Sequence, residues 1–547
     1  MIKNLKQQSV NVHDFAMNPR AAVPRSQFDL SHGHKTTFGF SLLIPILVEP
    51  VLPGDTFNCS IQTAARTAVP IVPILDNWHL EFFSFFIPMR LVWPNARKFW
   101  GEQDNPGDSI SFTIPTLTSP VAGFAINSLY DYMGLPTVGQ TGGANTITVN
   151  SLPFRCYMLV YNQWFRDENL QVWQGPTTYG DGPDALGNFG LQQRGKRFDY
   201  YTQALPWPQK GGVAISLPLG TSAPVKTSAS ATVTGAQPTL KVGKITDGTD
   251  PGSFMLGNSA GNGVFASTTA TGATTVAVYP TNLFADLTGA TSSTINQLRQ
   301  AFTLQQYLEK DARGGTRYTE YAYTHFGVRS PDARLQRPEF IGGGHADINT
   351  TAIPQTSATG LTGGTTPAGS LSATGTAVGR TGFTYSSTEH GYIITLACAR
   401  ADLTYSQGIR RFWSVSTRYD WPVPLLANLG EQTLLNQEIY SDGTANDTAV
   451  FGYIPRWDEW RASPSLISSY FKSTTAGTLD YWHSSQKFTG VPTLNATFIA
   501  DNAGTVVQRN FAAGAATANQ QLLADFYFNL KVARALPLYG IPGLTRL

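Results

Sequence analysis

Two short segments of the chain combine basic and aromatic side chains. RGKRFDYY begins at Arg194 and DARGGTRYTEY begins at Asp311. Cations neutralise phosphates and aromatic rings stack on bases, so the combination is typical of proteins that bind single-stranded nucleic acid. Ordinary pairing of arginine with carboxylates inside a fold is the alternative interpretation. The candidate nucleic-acid contacts are Arg194, Lys196, Arg197, Arg313 and Arg317.

A pair of carboxylates, Asp458 and Glu459, stands between Trp457 and Trp460. Paired carboxylates hydrolyse glycosidic bonds, but the distance that matters is spatial and no sequence spacing defines it. A carbohydrate-binding or carbohydrate-cleaving protein is therefore one functional hypothesis, with Trp457, Trp460 and Trp482 lining the sugar site. A solvated turn beside packed tryptophans is the simpler interpretation.

Other chemical motifs are weak. Residues 257–261, GNSAG, fit the G-x-S-x-G pattern of serine hydrolases, but they stand in a Gly/Ser/Thr-rich stretch without the strand and helix that expose such a serine. His32 and His34 share one side of an expected strand, yet no third ligand follows at a metal-binding spacing. The sequence therefore predicts no catalytic residue, no cofactor and no metal site, and we expect a protein that is not an enzyme.

The composition of the 547-residue chain limits the classes of function. Charged residues make up 14%, well below the usual quarter, and the net charge is +2. The chain is therefore not a bulk neutraliser of nucleic acid. A surface with so few charges either carries neutral polar groups or is buried against partners.

Neither disulfides nor membrane spans are expected. Cys59, Cys156 and Cys398 are far apart and form no C-x-x-C pattern, which favours folding in a reducing compartment. The first ten residues contain no apolar stretch of a secretory signal. The longest apolar run, residues 40–52, is interrupted by two prolines and a glutamate and is shorter than the roughly 20 residues of a spanning helix.

Alternating side chains predict strands around the aromatic stretch at residues 75–103. Trp78, Leu80 and Phe82 alternate with polar residues, and from Phe82 to Ile87 both faces are apolar apart from one serine. This pattern indicates a strand that is half-buried at its start and covered on both faces at its end. The aromatic residues expected to pack inside the chain or at subunit interfaces are Phe83, Phe85, Phe86, Trp93, Phe99 and Trp100.

Further strands are predicted at residues 394–406 and 525–537, which alternate in the same way. One helix is well specified: Thr294 and Gln297 form a capping box, and two glycines end the helix after Arg313. Residues 154–170 are a weaker helical candidate.

Two regions differ in composition, because they are small, polar and almost uncharged. Residues 212–293 and 345–382 are rich in Gly, Ala, Ser and Thr. We interpret them as loops inserted into a strand scaffold. The scaffold itself would then comprise residues 1–211 and 294–547.

Long sequence blocks outside these regions resemble the major capsid protein of gokushovirus-type microviruses, the Microviridae phages with circular single-stranded DNA genomes. The resemblance begins with FDLSHGHKTTF, LVEPVLPGDTF and FFIPMRLVWPNARKFWGEQ. It continues with LPFRCYMLVYNQWFRDENL, RGKRFDYYTQALPWPQKG and TINQLRQAFTLQQYLEKDARGGTRYTEYAYTHFGVRSPDARLQRPEFIGGG. It closes with VFGYIPRWDEWRASPS and LPLYGIPGL. Several blocks exceed ten residues in order, so the likeness is not a chance match.

The resemblance implies a mainly β viral jelly roll, two antiparallel Greek-key sheets with long inserted loops and a few helices. It implies an icosahedral (T=1) shell of roughly 60 copies with one chain per asymmetric unit, enclosing a single-stranded DNA genome. Residues 212–293 match the insertion that forms a protrusion at the three-fold axes, proposed to touch a host receptor. The implied partners are a small basic DNA-binding protein, an internal scaffolding protein and a pilot protein. The implied location is the virion, assembled in the bacterial cytoplasm.

Overall fold

The structure, a computed structural model, describes residues 25–143, 145–211, 215, 295–357, 368–512 and 520–539, together with the backbone of six short strands between residues 225 and 285. The chain divides into two compact units: one comprises residues 1–208 and 311–547, the other residues 209–310. The segment predicted as an insertion, residues 212–293, belongs to the second unit. Its role as a surface protrusion stays a prediction.

Nine of the described strands build the main sheet of the first unit, and the protein is mainly β, as predicted. Strands predicted around residues 78–87, 394–406 and 525–537 are all present. The nine strands are β1 Ser26–Asp29, β2 His32–Phe38, β3 Ile44–Val51, β4 Thr56–Thr67, β5 Trp78–Pro88, β6 Glu339–Pro354, β7 Leu371–Ser386, β8 Gly391–Ala401 and β9 Leu522–Arg534.

Eight of these strands form two antiparallel layers of four. The first layer has the order β2–β9–β4–β7, with β1 also paired to β9, and the second has the order β3–β8–β5–β6. The chain moves from one layer to the other after β2, β3 and β4, and again after β6, β7 and β8. Alternation of this kind is the Greek-key winding of a jelly roll, so the predicted fold is confirmed.

The hairpin of β6 and β7 joins the two layers. Its outer part pairs residues 349–354 with 371–376, whereas residues 339–348 pair with β5 and residues 376–386 pair with β4. Both ends of the segment 345–382 that was predicted as a loop insertion lie in this hairpin. Residues 358–367, between those ends, lie outside the described part of the chain, and the insertion stays a prediction.

Glycines permit the two diverging strands to stay in contact. A Cβ on Gly344 would stand 2.5 Å from Thr381 Oγ1, and one on Gly342 would stand 2.8 Å from the carbonyl oxygen of Gly382. Both separations are far below a normal van der Waals contact. Gly342 and Gly344 therefore serve the close approach of β6 to β7, whereas a Cβ on Gly343 would stand 2.6 Å from the carbonyl oxygen of Phe82 in β5.

A hydrophobic core fills the space between the two layers. Rings from opposite layers meet there: Phe82 of β5 lies 5.9 Å from Phe526 of β9 between ring centroids, and Phe86 lies 4.8 Å from Tyr385. The alternation along each strand directs these residues inward. The largest fully buried members of this core are Phe38, Phe40, Phe57, Trp78, Phe86, Phe526 and Phe528.

A second core covers the outer face of the layer that contains β5 and β8. Phe85 and Ile87 of β5 and Leu396 of β8 pack there against Trp93 and Tyr157. Every residue of β8 is buried, so this strand is covered on both faces. The covering segment contains the helices Met89–Val92, Ala96–Phe99, Leu129–Tyr132 and α1, Leu152–Val160, continued by a π-helical turn Tyr161–Phe165, and the short strands Thr116–Thr118 and Thr148–Asn150.

Two further helices connect to the scaffold. α2 extends over Ile295–Arg313 and ends before the two glycines, as predicted; Thr294 of the predicted capping box lies outside the described residues. α3 covers Tyr318–Phe326. Shorter elements form the rest: strands Thr404–Tyr405, Glu431–Leu435, Val450–Pro455 and Ser485–Gln486, and α-helical turns Asn436–Ile439, Ala496–Ile499 and Ala503–Val506.

The described part of the second unit contains three antiparallel strand pairs that lie one inside another along the chain. Val225–Lys226 pairs with Phe284–Ala285, Val242–Lys244 with Val278–Pro280, and Met255–Ser259 with Gly263–Ser267. The innermost pair includes Ser259 of the GNSAG motif, so this serine belongs to a strand.

Two adjacent leucines at the start of β9 can be used to test which side chains of this strand point into the core and which point to solvent. Leu522 is fully buried, whereas Leu523 is 51% exposed. We expect Leu522→Ala to lower the free energy of unfolding by about 2–5 kcal/mol, the range for a buried leucine. Leu523→Ala should cost less than about 1 kcal/mol. Urea denaturation of the free chain measures both, and equal losses would contradict the assigned register.

Candidate functional site

All five basic residues predicted to contact nucleic acid line one cleft of the first unit. The cleft has a volume of about 840 Å³ and also includes Phe83 and Phe85 of β5. Two further cations, Arg166 and Arg400, line it as well. The structure therefore brings together residues that are more than a hundred positions apart in the sequence.

The segment 194–197 is fixed by backbone hydrogen bonds on both sides. The Arg194 amide donates to the carbonyl of Ser41 (2.9 Å), and the Lys196 amide donates to the carbonyl of Ile499 (2.8 Å). We call the segment 194–197 the first wall of the cleft. Arg313 and Arg317 come from the end of α2 and the start of α3, and we call the turn between these two helices the second wall.

Glu81 of β5 holds the two arginines of the first wall. Arg194 forms an ion pair with Glu81, and Arg197 Nη2 donates to Glu81 Oε1 at 2.6 Å. Arg197 also pairs with Asp402 at 2.9 Å. Burial raises the pKa of Glu81, but the charges and hydrogen bonds of the two arginines outweigh this, so its pKa lies below the usual value. The Arg194 guanidinium lies 4.7 Å above the centroid of the Phe83 ring.

The arginines of the second wall are paired as well. Arg313 forms an ion pair with Glu431 and donates to the carbonyl of Gln203 at 3.2 Å. Arg317 forms ion pairs with Glu168 and, at 3.3 Å, with Glu320. Its Nε is buried and has no hydrogen-bond acceptor within the described residues.

Lys196 is buried, with 8% of its surface exposed. Its Nζ donates to Gln486 Oε1 at 2.8 Å and lies 4.2 Å from the centroid of the Phe498 ring. Burial lowers the pKa of Lys196 to about 8, although the charges of Asp501 and Asp199 oppose the change. Its ammonium therefore supports the wall rather than projecting as a free cation.

The lining of the cleft contains more cations than carboxylates. Seven cations line the cleft against three carboxylates, Asp167, Glu168 and Glu320. Glu81, Glu431 and Asp402 bind their arginines without lining it. The sequence left two interpretations, and pairing of arginine with carboxylates is what the structure contains for Arg194, Arg197, Arg313 and Arg317. Contact with nucleic acid stays a prediction.

The aromatic residues of the predicted interface set differ in exposure. Phe85, Phe86 and Trp93 are buried inside the chain, and Phe83 and Phe99 are partly buried against the second core. Trp100 is 53% exposed and stacks on His390, with ring centroids 3.7 Å apart. Contact with a neighbouring subunit is therefore confined, within this set, to the exposed part of Trp100 and the partly buried rings.

A more exposed aromatic surface escaped the sequence reasoning. Residues 416–425 form ten consecutive exposed positions. They belong to a segment of three short 3-10 turns. Aromatic residues in such turns do not recur at the spacing of a strand or a helix. The sequence signal that could have revealed this surface was a run of large apolar residues that follows neither a strand nor a helix period. The exposed ones are Phe412, Trp413, Tyr419, Trp421, Val423, Leu425 and Leu429.

Of the sugar-site residues, Trp457, Glu459 and Trp460 line one pocket, and Trp482 does not belong to its lining. Trp457 is buried, Trp460 is 54% exposed, and Trp482 packs partly buried against the core between the layers. Asp458 is buried and accepts a hydrogen bond from Gln203, whereas Glu459 accepts one from Gln432 at 2.6 Å. The ring that actually neighbours Trp460 is Trp421, with centroids 5.7 Å apart.

The two histidines that were considered as metal ligands form hydrogen bonds within the fold. His32 Nδ1 donates to the carbonyl of Leu30 and His34 Nδ1 donates to that of Ile46, each at 2.8 Å. Across the described residues, no group of three or more His, Cys, Asp or Glu side chains is arranged to hold a metal ion. Within the same residues, no helix is both long and apolar enough to span a membrane.

The winding of the strands defines a class, the jelly-roll proteins, which includes the coat proteins of viruses as well as lectins. Comparison with known families makes the assignment specific: the chain belongs to the family described as "Capsid protein (F protein)", which it matches over residues 16–544. It is therefore a structural capsid protein and a component of the virion.

Three curated relatives agree with this assignment. Capsid protein VP1 of Bdellovibrio phage phiMH2K is 42% identical over 537 residues, 97% of this chain and 98% of the relative. Capsid protein VP1 of Chlamydia phage 1 is 38% identical over 610 aligned residues, and that of Spiroplasma virus 4 is 34% identical over 573. Both alignments cover the whole of each chain. The resemblance to gokushovirus capsid proteins is confirmed.

Replacing Lys196 by methionine should remove a pH dependence of folding. The folded pKa of about 8 is below that of an unfolded lysine, about 10.4, so the unfolded chain binds more protons between these values. The free energy of unfolding therefore rises with pH in this window, by up to about 3 kcal/mol relative to Lys196→Met. Urea denaturation from pH 7.5 to 10.5 measures the difference.

The exposed Lys35 supplies the control for this experiment, because Lys35→Met removes a lysine without opening a buried site. The variant should follow the wild type across the pH range. A difference between wild type and Lys196→Met that is the same at every pH would contradict the lowered pKa.

Proposed function

We propose that about 60 copies of this chain form a closed icosahedral shell around a single-stranded DNA genome. The observation that carries the DNA part of the proposal is the cleft, because all five predicted basic residues line it beside Phe83. Guanidinium groups with remaining donors bind phosphate oxygens, and rings beside them stack on bases. We assign the chain no catalytic role.

The carboxylates behind the cleft support this role instead of opposing it. Glu81 and Glu431 fix the arginines through charge-assisted hydrogen bonds, and the side chains of Arg197 and Arg313 nevertheless stay partly exposed. Arginines held in place lose less side-chain entropy when a phosphate arrives. A cleft of this kind favours a few ordered nucleotides, and the net charge of +2 leaves most of the genome's charge to another component.

That component is, in this proposal, a small basic DNA-binding protein of the phage. An internal scaffolding protein and a pilot protein complete the set of partners, and assembly takes place in the bacterial cytoplasm. The second unit, with its nested strand pairs, is proposed to reach the host receptor. These partners follow from the family likeness.

Removal of cleft charges should weaken DNA retention in a salt-dependent way. Arg197 and Arg313 are the more exposed of the five, with side chains 44% and 31% exposed. For Arg197→Gln and Arg313→Gln we expect the slope of log affinity against log salt to fall by about 0.7 for each phosphate that the chain no longer neutralises. Binding of a single-stranded oligonucleotide to the purified chain from 50 to 300 mM salt, concentrations chosen to span roughly the range in which phosphate contacts dominate, measures the slope.

Arg97→Gln is the matched control, because Arg97 is exposed, pairs with Glu102 and lies outside the cleft. It should leave the slope unchanged. If the cleft variants behaved like Arg97→Gln across the salt series, the five residues would be structural ion pairs only.

Deletion of residues 212–293 separates assembly from host attachment. If this segment serves attachment, particles lacking it should form in normal yield, seen by electron microscopy, but should not adsorb to host cells. Particles that carry a scrambled segment of the same composition and length are the control for the effect of the segment's size alone. Loss of assembly with an insoluble subunit would instead make the segment part of the scaffold.

A further inference from the structure

The exposed aromatic segment borders a pocket of the first unit that no role described above uses. The pocket measures about 350 Å³, and Tyr200 and Tyr201 line it together with Phe412, Trp421 and Trp460. We call the exposed rings and chains around it the aromatic rim: Phe412, Trp413, Tyr419, Trp421, Leu425 and Trp460. Trp413 is 73% exposed and Leu425 is 87% exposed.

The carboxylates of the pocket are satisfied within the chain. Glu438 accepts hydrogen bonds from the Tyr200 hydroxyl at 2.7 Å, from the Leu435 amide at 3.1 Å and from Arg411 at 3.1 Å. Glu459 accepts one from Gln432. A charged ligand would find these carboxylates already occupied, whereas an apolar group would displace water from aromatic walls at little cost.

One polar atom of the wall lacks a partner. Arg410 lines the pocket and donates through Nη2 to the carbonyl of Pro464 at 2.9 Å, but its Nε is buried without an acceptor among the described residues. Buried donors are normally satisfied. The backbone carbonyl of an inserted peptide segment supplies an acceptor that a purely apolar small molecule lacks.

The composition of the rim resembles the centre of a protein interface. Tryptophan, tyrosine and arginine are the residues that most often dominate binding energy there, and the Arg418 guanidinium lies 4.7 Å from the centroid of the Tyr419 ring. Large exposed apolar patches rarely occur on a monomer without a partner. For a chain of the capsid family, which assembles with itself, the partner present at each copy is another copy.

We propose that the pocket and aromatic rim are a copy–copy contact that receives an apolar segment of a second copy of this chain. The contact rests on the proposed shell and names one of its interfaces. The incoming segment covers Trp421 and Trp460 with apolar side chains, and its backbone reaches Arg410. The rim then changes from exposed surface to interface core on assembly.

Oxidative footprinting of the full-length chain before and after assembly tests the contact. Hydroxyl radicals oxidise exposed rings, and mass spectrometry reads each residue separately. We expect Trp413, Trp421 and Trp460 to be oxidised severalfold more slowly in particles than in the free chain. Equal rates in intact particles would overturn the contact while leaving the shell itself in place; failure of the wild-type chain to form particles with its partners would overturn both.

A variant gives an independent measure. Trp421→Ala should raise the concentration needed for assembly about 30-fold, the effect of removing one hot-spot ring. Trp421→Phe keeps a ring and should assemble close to wild type, and an unchanged free energy of unfolding for both would show that the fold is intact. Wild-type assembly of Trp421→Ala would refute the contact.

The competing occupant is a sugar, which stacks on paired tryptophans. Adding oligosaccharides to the free chain should leave the oxidation rates of Trp421 and Trp460 unchanged. Protection of these rings by a sugar in the absence of assembly would overturn the copy–copy contact in favour of a carbohydrate site.

Discussion

Burial of β8 and of the second half of β5 on both faces is the constraint on which the rest of the structure depends. The strands β5 and β8 must bury apolar side chains toward the other layer and also toward residues 89–191. The second half of β5 has no solvent face, so the positions that would be polar elsewhere are apolar there apart from Ser84. The density of rings in residues 78–93 follows directly, and so does the need for the long covering segment after β5.

The same arrangement determines where charge is tolerated. Glu81 lies in the half-buried first part of β5, beyond the end of the covering segment, and it binds Arg194 and Arg197 there. Removing one partner from a partly buried pair leaves the other charge without compensation. The cleft therefore begins where the second core ends, because cations and rings meet beside water at that boundary.

Much of this was predictable from the sequence, for identifiable reasons. Period-2 alternation of Trp78, Leu80 and Phe82 was sufficient to predict β5 and its change of pattern, because a strand repeats every two residues. The order of the strands was not available from periodicity, and the family resemblance supplied it. The carboxylate partner of Arg194, Glu81, is 113 positions away, so pairing was invisible. The segment 412–425 was missed because its 3-10 turns have no repeat to detect.

The hairpin of β6 and β7 also bears on how this protein aggregates. Unpaired strand edges recruit further strands, and repeated addition gives fibres that grow without limit. Here the diverging edges lie against each other through Gly342 and Gly344, and on the far side His34 of β2 bonds to the backbone of β3. Polymerisation by strand addition is thereby discouraged. Subunits can still associate through side-chain contacts at fixed angles, and such an assembly stops growing when it has closed upon itself.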